Sequence, residues 1–371
     1  MGGYRLNKKG LSMEHVTIRD IARICRVGVS TVSRAINDHP DINPETKKLI
    51  LDTIREYHYI PNNSAQNLKR METNTIALVT KGVGNPLFAE MIEITQRHVK
   101  GKDYAFVLQQ VEEEENEIMA AIRIARERRL KGIIFMGGTS QPDASLLQAL
   151  TIPYVFCTVD SRIPESLSGW GIVAIDNEAE SYKLVDYLCS KGHRRIAILT
   201  AYAHDTSIGK LRLDGYRRAL KDHGIEEDPS LIAHMKGAGP IYTMQNGYDR
   251  TKELLASGTE FTALYAISDT IAIGACRAIF DSGLRVPEDI SVAGFDGLDL
   301  AAYYHPSITT IEQPINEMAL ETSRMLFRLI QEKDLKERHI FQAALREGQS
   351  VKKTEANPGK IFSPLRQLNP A

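Results

Sequence analysis

Residues 17–38 read TIRDIARICRVGVSTVSRAIND and decide the architecture of the N-terminal part of the chain. Apolar residues recur at helical spacing on both sides of residues 26–28, so the stretch predicts two short helices joined by a tight turn. Thr17, followed three residues later by Asp20, has the form of a capping box and marks the start of the first helix. This arrangement is typical of a helix-turn-helix, whose second helix enters the DNA major groove.

A third helix is predicted within NPETKKLILDTIREYHYIP, residues 43–61. Asn43 supplies an N-cap, and Pro44 takes the first helical position, where its missing N–H costs nothing. The predicted core of the three helices consists of Ile18, Ile21, Ala22, Cys25, Val32, Ala35, Ile36, Leu49, Ile50, Thr53, Ile54 and Tyr57. The second helix, predicted over residues 30–37, turns small polar side chains and one arginine outward, which suits an approach to base edges. An amphipathic bundle without a DNA role is the alternative.

Apolar strands alternate with amphipathic helices in the rest of the chain, which predicts parallel sheets with helices on both faces. The first series of predicted strands is 75–80, 104–110, 132–136 and 154–157, with helices from Pro86, from about Glu113 and from Asp143. The second series has strands 171–175, 195–200, 231–234, 263–266 and 290–294, and helices 177–191, 207–223, 244–256 and 270–283. A return strand and helix follow at 308–330. We therefore expect two doubly wound lobes with a ligand cleft outside the carboxyl ends of the strands.

The strings VSTVSRAIND (29–38) and NPETKKLILDTIREYHYIPN (43–62), with motifs at the strand ends of the body, resemble the lactose-repressor/galactose-repressor family from about Val16 to about Gln349. The resemblance implies an α/β fold with an N-terminal all-α helix-turn-helix head and a two-lobed body like that of periplasmic sugar-binding proteins. Two doubly wound parallel sheets, with three chain crossings between the lobes, belong to that architecture. We place the head at 13–60, a hinge segment at 61–71, the N-terminal lobe at 72–172 and 305–331, the C-terminal lobe at 173–304 and 332–352, and a tail at 353–371.

The resemblance implies that the head binds DNA through its second helix. The matching family positions face base edges at Val29, Ser30 and Arg34, and hold phosphates at Thr17, Thr31 and Ser33. The chemistry agrees, because an arginine can bond guanine bidentately and hydroxyls at helix starts suit phosphates. The sequence departs from the family at two positions: Arg26 replaces a turn glycine, and Gly28 replaces a capping serine. Both departures predict a head domain of somewhat lower stability.

The hinge segment PNNSAQNLKR, residues 61–70, is polar and has too few apolar residues to fold alone. In the family the matching segment becomes a helix on DNA, and two copies push a leucine into the minor groove. The resemblance therefore assigns Asn62, Ala65 and Leu68 to DNA, with Leu68 as an apolar wedge that kinks the duplex. The alternative is an ordinary linker in which Leu68 packs on the body.

The resemblance also implies a small-molecule effector bound in the cleft between the lobes. The matching residues are Leu87, Phe88, Arg212, Tyr242, Ser268, Asp269, Asp296 and Gln313. Such a set can satisfy sugar hydroxyls and stack on the C–H face of a ring, so a carbohydrate is the expected effector. Thr158 and Asp160 lie near a position where the family often has an aspartate.

Several of these residues have simpler interpretations. Asp269 is suited to cap the helix that follows it, an interpretation we prefer to a direct ligand bond. Phe88 and Tyr242 are equally consistent with core or rim aromatics, and Arg212 and Asp296 with an ion pair of the unliganded protein.

The charge of the chain bears on how it binds DNA. The net charge of the 371 residues is −1, so we expect DNA binding to require two heads acting together, in a homodimer on a palindromic operator. Ligand-driven changes in the lobe angle would then alter the spacing of the two hinge segments, with a coupling of about 1–3 kcal/mol. The sign of the response, and whether transcription is repressed or activated, stay open, although repression is the expectation.

Other classes of protein are disfavoured by what the sequence lacks. The four cysteines have no metal or redox spacing, and no phosphate-binding glycine motif or nucleophile–histidine pattern is present, so we expect no enzyme activity, cofactor or metal. The glutamate run 112–115 with Glu117 is predicted to be a solvated helix start. No signal peptide or apolar run of membrane length is found, which predicts a cytoplasmic protein with no membrane partner.

Two alternatives remain at the level of function. A solute-binding protein with a fortuitous head would require a secretion signal. A regulator of the same architecture that answers to a purine or to a protein co-regulator would differ only in its cleft chemistry.

Overall fold

The computed structural model describes residues 17–36, 39–57, 74–82, 84–112, 115–237 and 239–354. The chain divides into two compact units, Met1–Glu72 and Thr73–Ala371. Within the described ranges, no helix is long and apolar enough to cross a membrane.

The first unit contains three helices: α1 (Ile18–Ile24), α2 (Val29–Ile36) and α3 (Pro44–Glu56). The capping box is present, since the Asp20 carboxylate accepts from the Thr17 N–H at 3.0 Å and the Thr17 hydroxyl accepts from the Asp20 N–H. Asn43 caps α3 by accepting from the Glu45 N–H at 2.9 Å, ahead of Pro44. The helix starts predicted from local sequence are therefore confirmed for α1 and α3.

A small apolar core joins the three helices. It consists of Ile21, Ala22, Cys25, Val32, Ala35 and Ile50. The prediction that Leu49 and Tyr57 belong to this core was wrong, since their exposed fractions are 52% and 39%. Leu49 is turned about 100° from its buried neighbour Ile50 around the helix, and Tyr57 lies at the C-cap beyond the last turn.

The first sheet of the second unit has six parallel strands in the order β11-β5-β4-β3-β1-β2. Its strands are β1 (Thr75–Lys81), β2 (Ala105–Val111), β3 (Gly132–Met136), β4 (Tyr154–Cys157), β5 (Trp170–Ile175) and β11 (Lys336–Phe341). The helices of this first lobe are α4 (Pro86–Lys100), α5 (Glu117–Arg128), α6 (Ala144–Gln148) and α12 (Ile315–Gln331). Helix α12 packs so closely on the sheet that a Cβ at Gly171 would lie 2.4 Å from the Met325 sulfur.

The second sheet also has six strands, in the order β12-β10-β9-β8-β6-β7, and only β12 runs antiparallel to its neighbour. Its strands are β6 (Ile196–Thr200), β7 (Ile232–His234), β8 (Ala263–Ala266), β9 (Ser291–Asp296), β10 (Thr309–Glu312) and β12 (Ala344–Arg346). The helices of this second lobe are α7 (Asn177–Ser190), α8 (Ile208–Asp222), α9 (Met244–Ala256), α10 (Asp269–Phe280) and α11 (Asp299–Tyr303). The predicted fold class, an all-α head with two doubly wound sheets, is confirmed.

The chain crosses between the sheets three times, after β5, β10 and β11. The predicted lobe boundaries are corrected at each crossing, because β5 and β11 pair in the first sheet and β10 pairs with β9 in the second. Sequence alone could not assign these strands. An apolar strand buried on both faces has the same composition in either sheet, and its partners are set by tertiary pairing.

Candidate functional site

The exposed face of α2 carries the residues predicted to contact DNA. Val29, Ser30 and Arg34 are exposed, and Thr31 and Ser33 are half-buried beside them, while the intervening Val32 packs in the core. Thr17 is exposed at the start of α1. Within the head, Val29, Ser30 and Arg34 are therefore the exposed side chains of this face. Asn62, Ala65 and Leu68 lie outside the described residues.

The body has two positions at which strand order reverses, between β1 and β3 in the first lobe and between β6 and β8 in the second. In open α/β sheets the loops after such strands form the ligand crevice. The loops of the two lobes meet directly here, since the Ser140 hydroxyl after β3 donates to the Thr206 carbonyl after β6. The cleft between the lobes is therefore the candidate ligand site.

Arg212 is the largest fully buried side chain of the second lobe and has an exposed fraction of only 1%. Its Nε donates to Asn177 Oδ1 at 3.0 Å, and one terminal nitrogen donates to the Ile267 carbonyl. The guanidinium also lies 3.6 Å from the centroid of the Phe295 ring. These contacts fix the guanidinium at the carboxyl ends of the strands.

Asp296 ends β9 in a left-handed conformation, with φ of 114°, and is 2% exposed. Its Oδ1 accepts from Gln313 Nε2 at 2.9 Å and lies 3.4 Å from Arg212 Nη2, so the pairing of Arg212 with Asp296 is observed. Its Oδ2 has no partner with hydrogen-bond geometry within the described part of the chain, although the Asn85 side chain lies near the same carboxylate. Burial raises the pKa of the Asp296 carboxyl, while the Arg212, Gln313 and Asn85 side chains lower it.

Asp269 is buried beside this cluster, but both of its oxygens serve the protein. They accept from the Thr310 hydroxyl at 2.6 Å and from the Leu298 N–H at 2.7 Å. Burial and the neighbouring Asp296 carboxylate raise the pKa of Asp269 to about 8. Ser268, rather than Asp269, caps α10, since its hydroxyl accepts from the Ile271 N–H at 3.3 Å. The interpretation of Asp269 as the helix cap is therefore corrected.

The predicted apolar contacts lie near the crevice. Leu87 and Phe88 are buried in the first turn of α4, and the Phe88 ring lies against the loop at Gly137, where an added Cβ would meet it at 3.2 Å. Tyr242 is half-buried in the second lobe, and its carbonyl accepts from the Thr270 hydroxyl at 3.1 Å. The aromatic rings are thus parts of the packing of the cleft walls.

A charged pair in the first lobe was missed by sequence reasoning. Glu117, predicted to be solvated, is 4% exposed, and its Oε1 accepts from the Thr139 N–H at 3.0 Å. The Lys81 ammonium lies 3.8 Å from Glu117 Oε2 and donates to the Glu115 carbonyl at 3.0 Å. Asn116 caps helix α5, so Glu117 is the first residue of the helix. At this position its carboxylate faces the loop that follows β3. The asparagine was the available sequence signal, because it separates Glu117 from the charged run.

Thr158 and Asp160 have different partners. The Thr158 hydroxyl accepts from the Gly137 N–H at 3.2 Å, and Asp160 Oδ2 pairs with Arg338 of β11. Asp160 Oδ1 is buried with no hydrogen bond among the described residues. Burial raises the pKa of Asp160, and Arg338 lowers it.

The described ranges contain no cluster of three or more His, Cys, Asp or Glu side chains suited to a metal ion. The four cysteines are free; Cys25, Cys157 and Cys276 are buried and Cys189 is half-buried. The cleft is lined by hydrogen-bonding groups, ion pairs and apolar side chains, a combination suited to noncovalent binding of a ligand.

Comparison with known families and proteins agrees with this architecture. Residues 17–62 match the model of the bacterial regulatory proteins of the lacI family, and residues 185–351 match that of a periplasmic binding protein-like domain. The HTH-type transcriptional regulator MalR of Clostridium butyricum is 38% identical over 85% of this chain and 93% of that protein. The ribose operon repressor of Haemophilus influenzae is 30% identical over 82% of this chain and 90% of that protein.

Two solved structures share the two-lobed fold with sequence similarity. The transcriptional regulator CelR in its cellobiose complex is 28% identical, with a TM-score of 0.65, over 91% of this chain and 100% of that chain. The Lac repressor bound to ONPG is 25% identical, with a TM-score of 0.69, over 91% of this chain and 99% of that chain. These relatives are transcriptional regulators rather than enzymes, in agreement with the prediction for this chain. The chain belongs to the lacI family of bacterial regulatory proteins and is a DNA-binding transcriptional regulator.

Proposed function

We propose that this protein is a homodimeric repressor whose operator affinity is controlled by a carbohydrate bound between the two lobes of the body. The head reads one half-site of a palindrome with Arg34 and Val29 on base edges. The hydroxyls of Thr17, Thr31 and Ser33 hold phosphates, and Ser30 contacts a base edge. Asn62, Ala65 and Leu68 contact the centre of the operator.

The unsatisfied carboxylate oxygen of Asp296 is the observation that carries the effector proposal. A buried acceptor without a hydrogen bond is costly, and a ligand hydroxyl would remove that cost. Gln313 follows β10 at a crossing between the lobes and bonds the same carboxylate, so a ligand at Asp296 touches a link between the lobes. Arg212, Ser268 and Asp269 hold this corner in place.

The relatives supply independent support. A regulator that shares 28% identity over 91% of this chain is solved as a cellobiose complex, and the repressor of a ribose operon shares 30% identity. The half-buried Tyr242 gives the cleft an apolar surface for a sugar ring, and the buried Leu87 and Phe88 support the opposite wall from behind.

The experiment is a thermal-shift screen of the full chain with neutral sugars, sugar phosphates and purines, followed by fluorescence anisotropy on operator DNA. We expect a sugar to raise the melting temperature and to change operator affinity by about 5- to 150-fold, the usual range of allosteric coupling. Asp296→Asn should abolish both effects, whereas Asp249→Asn, a surface substitution on α9, should preserve them. Stabilisation by purines alone would contradict the carbohydrate assignment. A chain that is monomeric in sedimentation and binds no duplex DNA at low salt would refute the dimeric mechanism.

A further inference from the structure

We infer that the effector is an uncharged polyol and that the cleft is built to reject its phosphorylated or acidic counterpart. This inference rests on the proposed function and narrows its ligand class. The observation behind it is a matched set of ion pairs at the strand ends, together with carboxylate oxygens that still lack donors.

One cation of the first-lobe crevice, Lys81, is already neutralised. Lys81 ends β1 at the point of strand reversal, and the Glu117 carboxylate lies 3.8 Å from its ammonium. An added Cβ at Gly138 would lie 2.5 Å from Glu117 Oε1, so the carboxylate is packed directly under the β3 loop. The pair is therefore set into the wall of the crevice and offers an incoming anion no net positive charge.

Two further cations at the strand ends are matched in the same way, and the exposed Arg162 after β4, which has no ion pair among the described residues, is offset near Asp160 by the Asp176 carboxylate. Arg212 lies 3.4 Å from Asp296, and Arg338 pairs with Asp160. On the α8 side, Lys210 bonds Asp214 at 2.6 Å. The buried Asp269 carboxyl adds little charge to the second lobe near neutral pH, because its pKa is raised to about 8. The named charges of the crevice therefore cancel, and they leave an incoming anion no surplus of positive charge.

The unpaired polar atoms point to the same ligand chemistry. Asp296 Oδ2 and Asp160 Oδ1 are both buried acceptors without a hydrogen bond among the described residues. Sugar hydroxyls donate hydrogen bonds, whereas phosphate and carboxylate oxygens only accept them and carry the same sign of charge as these oxygens. The hydroxyls of a neutral polyol donate to acceptors of this kind, while an anion meets repulsion. Such repulsion is an effective means of discrimination between close analogues.

The test is isothermal titration of the full chain with matched pairs: glucose and glucose 6-phosphate, and cellobiose and cellobiose 6-phosphate, extended to other neutral mono- and disaccharides and their 6-phosphates. We expect a neutral sugar to bind at least 100-fold more tightly than its phosphorylated counterpart. Equal or tighter binding of the phosphate would overturn this inference and leave the proposed function standing. Binding of no sugar in the panel, neutral or phosphorylated, would overturn the proposed function and this inference together.

Glu117→Gln tests the charge argument directly. Glutamine keeps an oxygen for the Thr139 N–H but removes the charge opposite Lys81, so the phosphorylated sugar should bind at least 10-fold more tightly than it does to the parent. Asp160→Asn, which releases Arg338, is a second variant with the same expected direction. Glu178→Gln, which removes a surface carboxylate paired with Arg218 at 2.6 Å, is the matched control and should change neither affinity. Unchanged phosphate binding in both folded test variants would show that these pairs do not exclude anions.

Discussion

The head and the body use their charged residues in opposite ways. In the head, Arg34 is exposed on α2 and has no ion pair among the described contacts, so its guanidinium is available to a partner. In the body, Arg212 is buried, with hydrogen bonds to Asn177 and Ile267 and with Asp296 beside it. Arg34 can therefore contact a binding partner, whereas Arg212 contacts only the interior of the body.

Because of this difference, substituting the head arginine should affect DNA binding, whereas substituting the body arginine should affect folding stability. An exposed, unpaired arginine contributes little to folding, so its loss is felt only when DNA is bound. A buried arginine compensates a buried carboxylate, so its loss is felt by the fold before any ligand arrives. The two regions should therefore respond to the same type of substitution in different assays.

The largest expected effect is that of Arg212→Met. Methionine fills much of the volume but leaves Asp296 buried without its cation, which typically costs about 3–5 kcal/mol. The measurement is urea unfolding of the body, followed by circular dichroism. The double variant Arg212→Met with Asp296→Asn should recover much of the loss, because the uncompensated charge is gone. If the Arg212→Met variant were as stable as the parent, Arg212 would not be needed to compensate the buried Asp296 carboxylate.

Arg34→Ala should produce a smaller effect, confined to DNA binding. We expect a loss of about 1–3 kcal/mol in discrimination at one base pair of each half-site. Anisotropy titrations with operators substituted one base pair at a time measure this loss, and the unfolding free energy should change by less than about 0.5 kcal/mol. Arg55→Ala is the control, since Arg55 is exposed on α3 with Asp52 as its partner at 3.3 Å. Equal relaxation at every position of the site would contradict base recognition by Arg34.

The head could be predicted in detail because its structure is local in sequence. The Thr17 and Asp20 capping box and the Asn43-Pro44 start both depend on residues within three positions of each other. The buried faces of α1 and α2 follow from helical spacing alone. The core prediction failed at Leu49, which is turned about 100° from the buried Ile50, and at Tyr57, which lies at the C-cap beyond the last turn.

The cleft could be predicted only in part, because its contacts are distant in sequence. Arg212 and Asp296 are 84 positions apart, and they meet through sheet pairing that no local pattern encodes. Resemblance supplied these residues, but not the free oxygen of Asp296 or the occupied oxygens of Asp269. Glu117 was misjudged for the opposite reason, since its acidic neighbours suggested solvent exposure while the α5 start buries it. Lobe boundaries failed at β5, β10 and β11 because strand composition does not specify the sheet.

The smallest expected effect concerns the turn between α1 and α2. Arg26 has a φ of 55°, a left-handed conformation that costs a side-chain-bearing residue of order 1 kcal/mol and that glycine adopts freely. Arg26→Gly should therefore stabilise the head by up to about 1 kcal/mol. Hydrogen exchange of the Ile21 and Val32 amides in the full chain measures this gain as slower exchange. Arg23→Gly, the same substitution inside α1, should speed exchange instead, because glycine costs a helix about 1 kcal/mol and because the variant loses the ion pair of Arg23 with Asp20 at 2.6 Å. If both variants shifted exchange in the same direction, loss of the arginine charge rather than backbone strain would be the cause. The exchange rates of amides in the body serve as the reference and should not change.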